Sequence, residues 1–383
     1  MLCEKALTGY THSSRSMKLL IRADADAKVG AGHVMRCLAL AQACIDRGGS
    51  ALFCAANLPL ALHERLRMEG IPVVEIDATP GSRTDAAALA AVARAHSCDW
   101  VVADGYRFDH AYQLALRQNG LQVLILDDYG HASHYEANVI LNQNLGAPAS
   151  LYDNRAPGSE LLIGSTFTLL RREFLRYRDW SRIIREQAKR ILVTLGGGDS
   201  VNTSRKVIEA LRLLTPEYSL NVCILVGPAA LELGNILRST QEAGHRVRVL
   251  TGTKHVPAIM AWADLAITAA GAACWELAFM KLPSIAIVRA ANQQAQAREL
   301  DQRGGLKNLG WHEDVRPEQI AFAIRSLIDS STSRRAMAAK CSAIVDGRGA
   351  ERVFAALEHY SDAIGRSAYA SEERSGSSAC RPV

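Results

Sequence analysis

Short apolar runs alternate with amphipathic segments along this chain, and the alternation begins twice with the same unit of strand, glycine turn and helix. The first unit runs from an apolar stretch at 18–21 through Gly30 and Gly32 into a helical pattern at 34–46. The second runs from 191–195 through Gly196, Gly197 and Gly198 into a helical pattern at 202–213. Four- to six-residue apolar runs bounded by turns read as buried strands, and 3.6-periodic segments between them read as crossover helices. Together they predict an α/β chain with doubly wound parallel sheets. A length of 383 residues is enough for two such units with separate cores.

In the first half, further strands are read at 51–55, 73–76, 100–103, 123–126 and 139–141, with helices at 59–69, 85–96 and 111–118. In the second half, strands are read at 221–226, 247–250, 265–268 and 284–288. Its helices fall at 229–241, 255–263, 273–280, 293–303, 317–329, 333–345 and 350–361. The expected organisation is an unstructured extension at 1–16, a first Rossmann-like domain at 17–170, and a charged linker at 171–190 with room for one helix. A second Rossmann-like domain at 191–345, a closing helix at 346–361 and an unstructured tail at 362–383 follow. Two such domains face each other across a cleft at the carboxyl ends of their strands, where doubly wound sheets bind ligands.

Charge and cysteine usage narrow the partners. The net charge of +5 is small for the length and the basic residues are scattered, which points to small anions rather than a nucleic-acid track. Nine cysteines without C-x-x-C pairs, and no secretory leader, fit free thiols in a cytoplasmic protein. No apolar run reaches membrane-spanning length, so no stable membrane insertion is expected. His131 and His134 lie three apart with no cysteine beside them and His255 stands alone, so no metal site is read and no cofactor is expected.

The polar residues fall just after predicted strands. Gly30 and Gly32 free backbone amides at a helix N-terminus, a place suited to a pyrophosphate, and His33 adds an imidazole able to move a proton there. Gly197 and Gly198 repeat the phosphate-type turn in the second half. Asp104 and Tyr106 end one strand and Asp127 and Asp128 the next; such carboxylates either bind sugar hydroxyls or assist the histidine. Asp127 and Asp128 point opposite ways if extended, so one of them faces the cleft. Asn144 ends a further strand. Gly271 and Ala272 precede a helix carrying Glu276, a carboxylate able to accept from a ribose diol. Asn292 and Gln293 follow the last long strand, as neutral donors or as helix caps.

Taken together, Gly30-x-Gly32-His33 with Arg36, Asp104-Gly105-Tyr106, Asp127-Asp128, Asn142-Gln143-Asn144, Gly197-Gly198-Asp199, the segment from Ala270 to Leu277, and Asn292-Gln293 resemble the signatures of one family. It comprises the UDP-sugar hydrolases of pseudaminic acid biosynthesis, which are similar to the transferases that build lipid-linked peptidoglycan precursors. The resemblance covers roughly residues 17–360. It implies a glycosyltransferase-B-like fold and hydrolysis of UDP-2,4-diacetamido-2,4,6-trideoxy-β-L-altropyranose, or a close relative, to UDP and free sugar. In that reading His33 is the general base activating water for attack on the anomeric carbon, with inversion. The amides near Gly30, Gly32, Gly271 and Ala272, with Asn292, stabilise the leaving pyrophosphate. Glu276 holds the ribose and the backbone at Val256 the uracil. Arg36, Asp104, Tyr106, Asp128, Asn144, Gly197, Gly198 and Gln293 complete the substrate contacts. The implied partners are substrate and water, without nucleic acid, and the chain is a monomer or weak oligomer. The alternative is a transferase passing the sugar from UDP to an acceptor other than water. The chain departs from the family pattern at Ala272, Ala273 and Cys274, where Gly and Ser or Thr are usual, and at Gly105, where His is expected.

Overall fold

The computed structural model describes residues 16–26, 30–196, 201–214, 217–227 and 244–376, with single positions at 234, 237, 238 and 240. The first sheet contains β1 (Lys18–Ala23), β2 (Ser50–Ala55), β3 (Val73–Glu75), β4 (Trp100–Asp104), β5 (Val123–Leu126), β6 (Val139–Asn142) and β7 (Glu160–Ile163). All pairs are parallel, in the order β3-β2-β1-β4-β5-β6-β7. Helices α1 (Gly32–Asp46), α2 (Leu60–Arg67), α3 (Arg83–Ala95) and α4 (His110–Gln118) cross between them. Every residue of β4, β5 and β6 is buried, as expected of a parallel sheet covered on both faces.

The second sheet is also parallel: β8 (Arg190–Thr194), β9 (Asn221–Val226), β10 (Arg246–Thr251), β11 (Leu265–Ala269), β12 (Ser284–Val288) and β13 (Lys307–Trp311), ordered β10-β9-β8-β11-β12-β13. The short α5 (Arg172–Leu175) precedes it. Its helices are α6 (Val201–Leu214), α7 (Val256–Trp262), α8 (Ala273–Phe279), α9 (Gln294–Gln302), α10 (Pro317–Ile328) and α11 (Ser331–Ser342). The strand order reverses between β1 and β4 in one sheet and between β8 and β11 in the other. These switch points place the β1–α1 turn beside the end of β4, and the end of β8 beside the β11–α8 turn.

Three features differ from the sequence reading. Strands β7 and β13 were not anticipated. The segment 171–190 is packed rather than loose: Phe174 is buried, and Arg182 donates to the carbonyls of Met260, Ala263 and Met280. The last helix, α12 (Gly349–Gly376), runs past residue 361, where the unstructured tail was expected to begin. It returns to the first domain, burying Ala350, Val353, Phe354 and Leu357 with Leu19, Leu38 and Trp100. Trp100 Nε1 donates to Ser361 Oγ, and Asn138 Nδ2 to the Tyr360 hydroxyl. The helix read at 229–241 lies largely outside the described residues. Among the described residues no helix is long and apolar enough to cross a membrane.

Candidate active site

The β1–α1 turn shapes one wall of the cleft. Gly30 adopts φ 76°, a left-handed value that disfavours a side chain, and its amide donates to Asp26 O. Helix α1 then starts without a side-chain cap, so its first amides remain available to a ligand. His33 is its second residue. Asp104, the last residue of β4, pairs in register with Ala23 of β1, which brings its carboxylate under the start of α1.

Nδ1 of His33 lies 2.6 Å from Asp104 Oδ1. One turn along, Arg36 grips the same carboxylate with both arms, Nε to Oδ2 at 2.6 Å and Nη2 to Oδ1 at 2.7 Å. Its Nη1 reaches Asp128 Oδ1 at 2.6 Å. Asp128 Oδ2 accepts from the Tyr106 hydroxyl at 2.7 Å, and Asn144 Nδ2 donates to Asp128 O at 3.0 Å. Across the cleft, Asn292 Nδ2 donates to the Tyr106 hydroxyl at 2.7 Å, joining the two domains. Tyr106 also stands edge-on to the His33 ring, with centroids 4.9 Å apart. The structure therefore gathers His33, Arg36, Asp104, Tyr106, Asp128, Asn144 and Asn292 into one network.

Asp127 turns the other way, as alternation along an extended segment requires. It is buried and accepts from Tyr152 OH at 2.7 Å, Tyr135 OH at 2.9 Å and Gly130 N at 2.6 Å, with His131 Nδ1 at 2.6 Å. This second hub was missed at the sequence level, because Tyr135 and Tyr152 approach it only through the fold.

Electrostatics fix the protonation pattern. Burial alone would raise the Asp104 carboxyl, but Arg36 and then His33 hold it well below the usual carboxylate range. Burial likewise opposes charge on Arg36, and Asp104 and Asp128 overcome it, keeping the guanidinium charged. Nδ1 of His33 lies 2.6 Å from the Asp104 carboxylate, which can only accept, and 3.2 Å from Arg36 Nη2; the shorter contact makes Nδ1 the donor to Asp104 and leaves the lone pair on Nε2. Burial, then Asp128, pushes the Tyr106 phenol up, so it stays a neutral donor.

On the opposite wall, Glu276 Oε1 accepts from Arg171 Nη2 at 2.7 Å, and burial raises its carboxyl although Arg171 opposes the shift. Gly271 O accepts from Gln296 Nε2, and Gln293 Oε1 accepts from the Arg289 amide. Gln293 thus orders the β12–α9 turn carrying Asn292. Ala272 is exposed at the start of α8, and no side chain caps that helix. At Gly105 an added Cβ would lie 3.1 Å from the Phe108 ring, so the family's histidine would not fit without moving that ring. Val256 is the first residue of α7, next to a cavity of about 350 Å³ bounded by the first domain, the linker and the second domain, and lined in part by Arg65, Arg172, Lys254 and His255. Gly197 and Gly198 lie outside the described residues. Arg289, also unanticipated as a contact, anchors the neighbouring end of β8 by donating to Leu195 O.

Two doubly wound domains with their switch points facing one cleft define a glycosyltransferase-B-like protein. Residues 190–352 match the model of the glycosyltransferase family 28 C-terminal domain. The chain is 24% identical over 290 residues to the UDP-2,4-diacetamido-2,4,6-trideoxy-β-L-altropyranose hydrolase of Campylobacter jejuni, covering 75% of this chain and 97% of that one, so the resemblance read from the motifs holds. It is 22% identical over 278 residues to an uncharacterized protein of Methanocaldococcus jannaschii; that match covers 71% of this chain but 55% of the archaeal protein, about half its length. Among solved structures it is similar to MurG of Acinetobacter baumannii (TM-score 0.61, 19% identity, covering 90% of this chain and 99% of that one). It is similar also to the S. aureus MnaA–UDP co-structure (TM-score 0.64, 15% identity, 90% and 97% covered).

Proposed function

We propose that this protein is an enzyme that hydrolyses a UDP-linked diacetamido-trideoxy sugar to UDP and the free sugar. The observation that carries the reading is the His33–Asp104–Arg36 arrangement at the uncapped start of α1, facing Asn292 across the cleft. Binding a nucleotide requires no imidazole in that turn. A histidine held in one tautomer by a buried carboxylate is the arrangement a general base requires. Nε2 takes a proton from water as its oxygen bonds to the anomeric carbon, the glycosidic C–O bond breaks, and the electron pair leaves with UDP. The charge developing on the pyrophosphate is met by the α1 amides and by Asn292, and the oxocarbenium character of the sugar by Asp128 nearby. Glu276 receives the ribose diol and the start of α7 the uracil.

The test is UDP release from a panel of UDP-amino sugars, with the anomeric product followed by NMR. Wild type should release UDP with water as the only acceptor. His33→Ala should lose on the order of 10²–10⁴ in kcat while still binding UDP. Release of UDP only when a hydroxyl acceptor is added would establish a transferase instead.

A further inference from the structure

Outside the cleft, on the first domain, two imidazoles and a carboxylate converge. His110 is the first residue of α4, and His134 and Glu136 lie in the chain between β5 and β6. His134 Nε2 is 3.2 Å from Glu136 Oε1, and His110 Nε2 is 3.8 Å from the same oxygen. The three ligand atoms all lie within 4.8 Å of one another, and all three residues are half-buried. A tetrahedral zinc ion with bonds of about 2.0–2.1 Å holds its ligand atoms roughly 3.3 Å apart. Two of the three separations are already near that value, and the third closes by rotation of half-exposed side chains.

A second observation makes this more than a pair of surface ion contacts. His134 Nδ1 is 2.8 Å from Asn154 Oδ1, and Asn154 Nδ2 donates to Ser133 O. With its amide nitrogen so engaged, Asn154 presents its oxygen to the ring, so Nδ1 carries the proton and the lone pair sits on Nε2, the atom facing Glu136 and His110. Fixing the tautomer of a ligating histidine through its other nitrogen is how outer-shell groups support a metal. The two imidazole rings stand edge to face, 5.0 Å apart, against one carboxylate oxygen.

We propose that His110, His134 and Glu136 form a divalent-metal site with the preference of two imidazoles and a carboxylate for zinc, solvent completing the tetrahedron. The segment it holds begins at Asp128 in the candidate active site and passes through His131 before reaching His134. A metal there ties this segment to the start of α4.

The experiment uses the full chain without a histidine tag, titrated with Co²⁺ under visible absorption and with Zn²⁺ by calorimetry. Since the chain has eleven histidines, the comparison with variants locates the site. Wild type should bind one equivalent with a d–d band of tetrahedral intensity, and Zn²⁺ should displace it. His110→Ala with His134→Ala should weaken that binding at least a hundredfold, and Asn154→Ala roughly ten- to a hundredfold. Zn²⁺ should raise the thermal midpoint of wild type and not of the double variant. The replaced side chains are half-exposed, so metal-free circular dichroism should show the variants folded. Failure of wild type to bind either metal, or binding of equal affinity by wild type and the double variant, would overturn the proposal.

Discussion

At Asp104 one buried carboxylate serves two partners, the imidazole of His33 and the guanidinium of Arg36. Asp104→Asn keeps the shape but replaces one acceptor oxygen with a donor, so His33 loses its tautomer and Arg36 its counter-charge. The expected result is a fall of about 10²–10⁴ in kcat with little change in UDP affinity. Steady-state kinetics beside UDP calorimetry separate the two; a parallel loss of both would assign Asp104 to binding. Arg36→Met removes the partner from a buried carboxylate and should cost about 3–5 kcal/mol in denaturant titrations. Asp127 offers a pH prediction of definite sign. Burial would raise its carboxyl, but His131, Tyr152 and the Gly130 amide hold it below the usual range. A carboxyl whose folded pKa is depressed contributes stability above the unfolded value, about 3.9, and loses it as pH falls toward the folded pKa. Thermal midpoints measured from pH 6 downward should therefore fall most steeply below about 4, and Asp127→Asn should be less stable at neutral pH with a shallower acid limb. The site could be read from the sequence to the extent that its residues terminate strands. His33, Asp104, Asp128, Asn144 and Asn292 do so or open the following helix. Arg171, Tyr152 and the His110–His134 pairing arise from contacts far apart in the chain, which no local pattern encodes.

At the scale of elements, the apolar central strands and glycine turns were readable because parallel strands buried on both faces leave continuous apolar runs. The two edge strands of opposite ends were not. In β7 a four-residue run is only half-buried, and β13, with Gly310 at φ 93° and a register shift against β12, has no clean alternation. The long α12 was anticipated as a closing helix, but its partner was not, since periodicity shows an apolar face and not what covers it. The contact is tight where the helix starts. An added Cβ at Gly349 would stand 2.1 Å from Thr168 O and 2.5 Å from the Phe167 carbonyl carbon, both backbone atoms that cannot swing aside. Gly349→Ala should consequently destabilise the first domain by about 1–3 kcal/mol, the usual cost of overpacking. Hydrogen exchange should show faster opening of α12 and of the strand bearing Trp100. An unchanged midpoint would mean that α12 is seated more loosely than these distances indicate.

For the whole molecule, the question is how the two halves share one substrate. The core around β11 and α8 is not confined to the second domain: Leu145 and Leu170 of the first domain and Phe174 of α5 pack into it. A chain of charges follows the same route, from Arg65 of α2 to Glu173, from Glu173 to Arg171, and from Arg171 to Glu276. The carboxylate proposed to hold the ribose is thus paired with a linker guanidinium, which opposes the upward shift that burial imposes on it. Its charge is the acceptor a diol requires, and protonation would leave one oxygen donating instead. Arg171→Met removes the opposing positive charge while preserving much of the bulk over Phe174. The Glu276 pKa should then rise further, and UDP affinity should weaken by about tenfold for each unit by which that pKa exceeds the working pH. The deficit should be greatest at pH 5.5 and recover toward pH 8.5, whereas wild type should vary less across the range. Glu276→Gln in the Arg171→Met background should abolish that pH dependence, because the carboxyl proposed to hold the ribose no longer titrates. Calorimetric UDP titrations of wild type and the two variants across that range decide it: an Arg171→Met curve superimposable on wild type at every pH would mean that the ribose is held elsewhere.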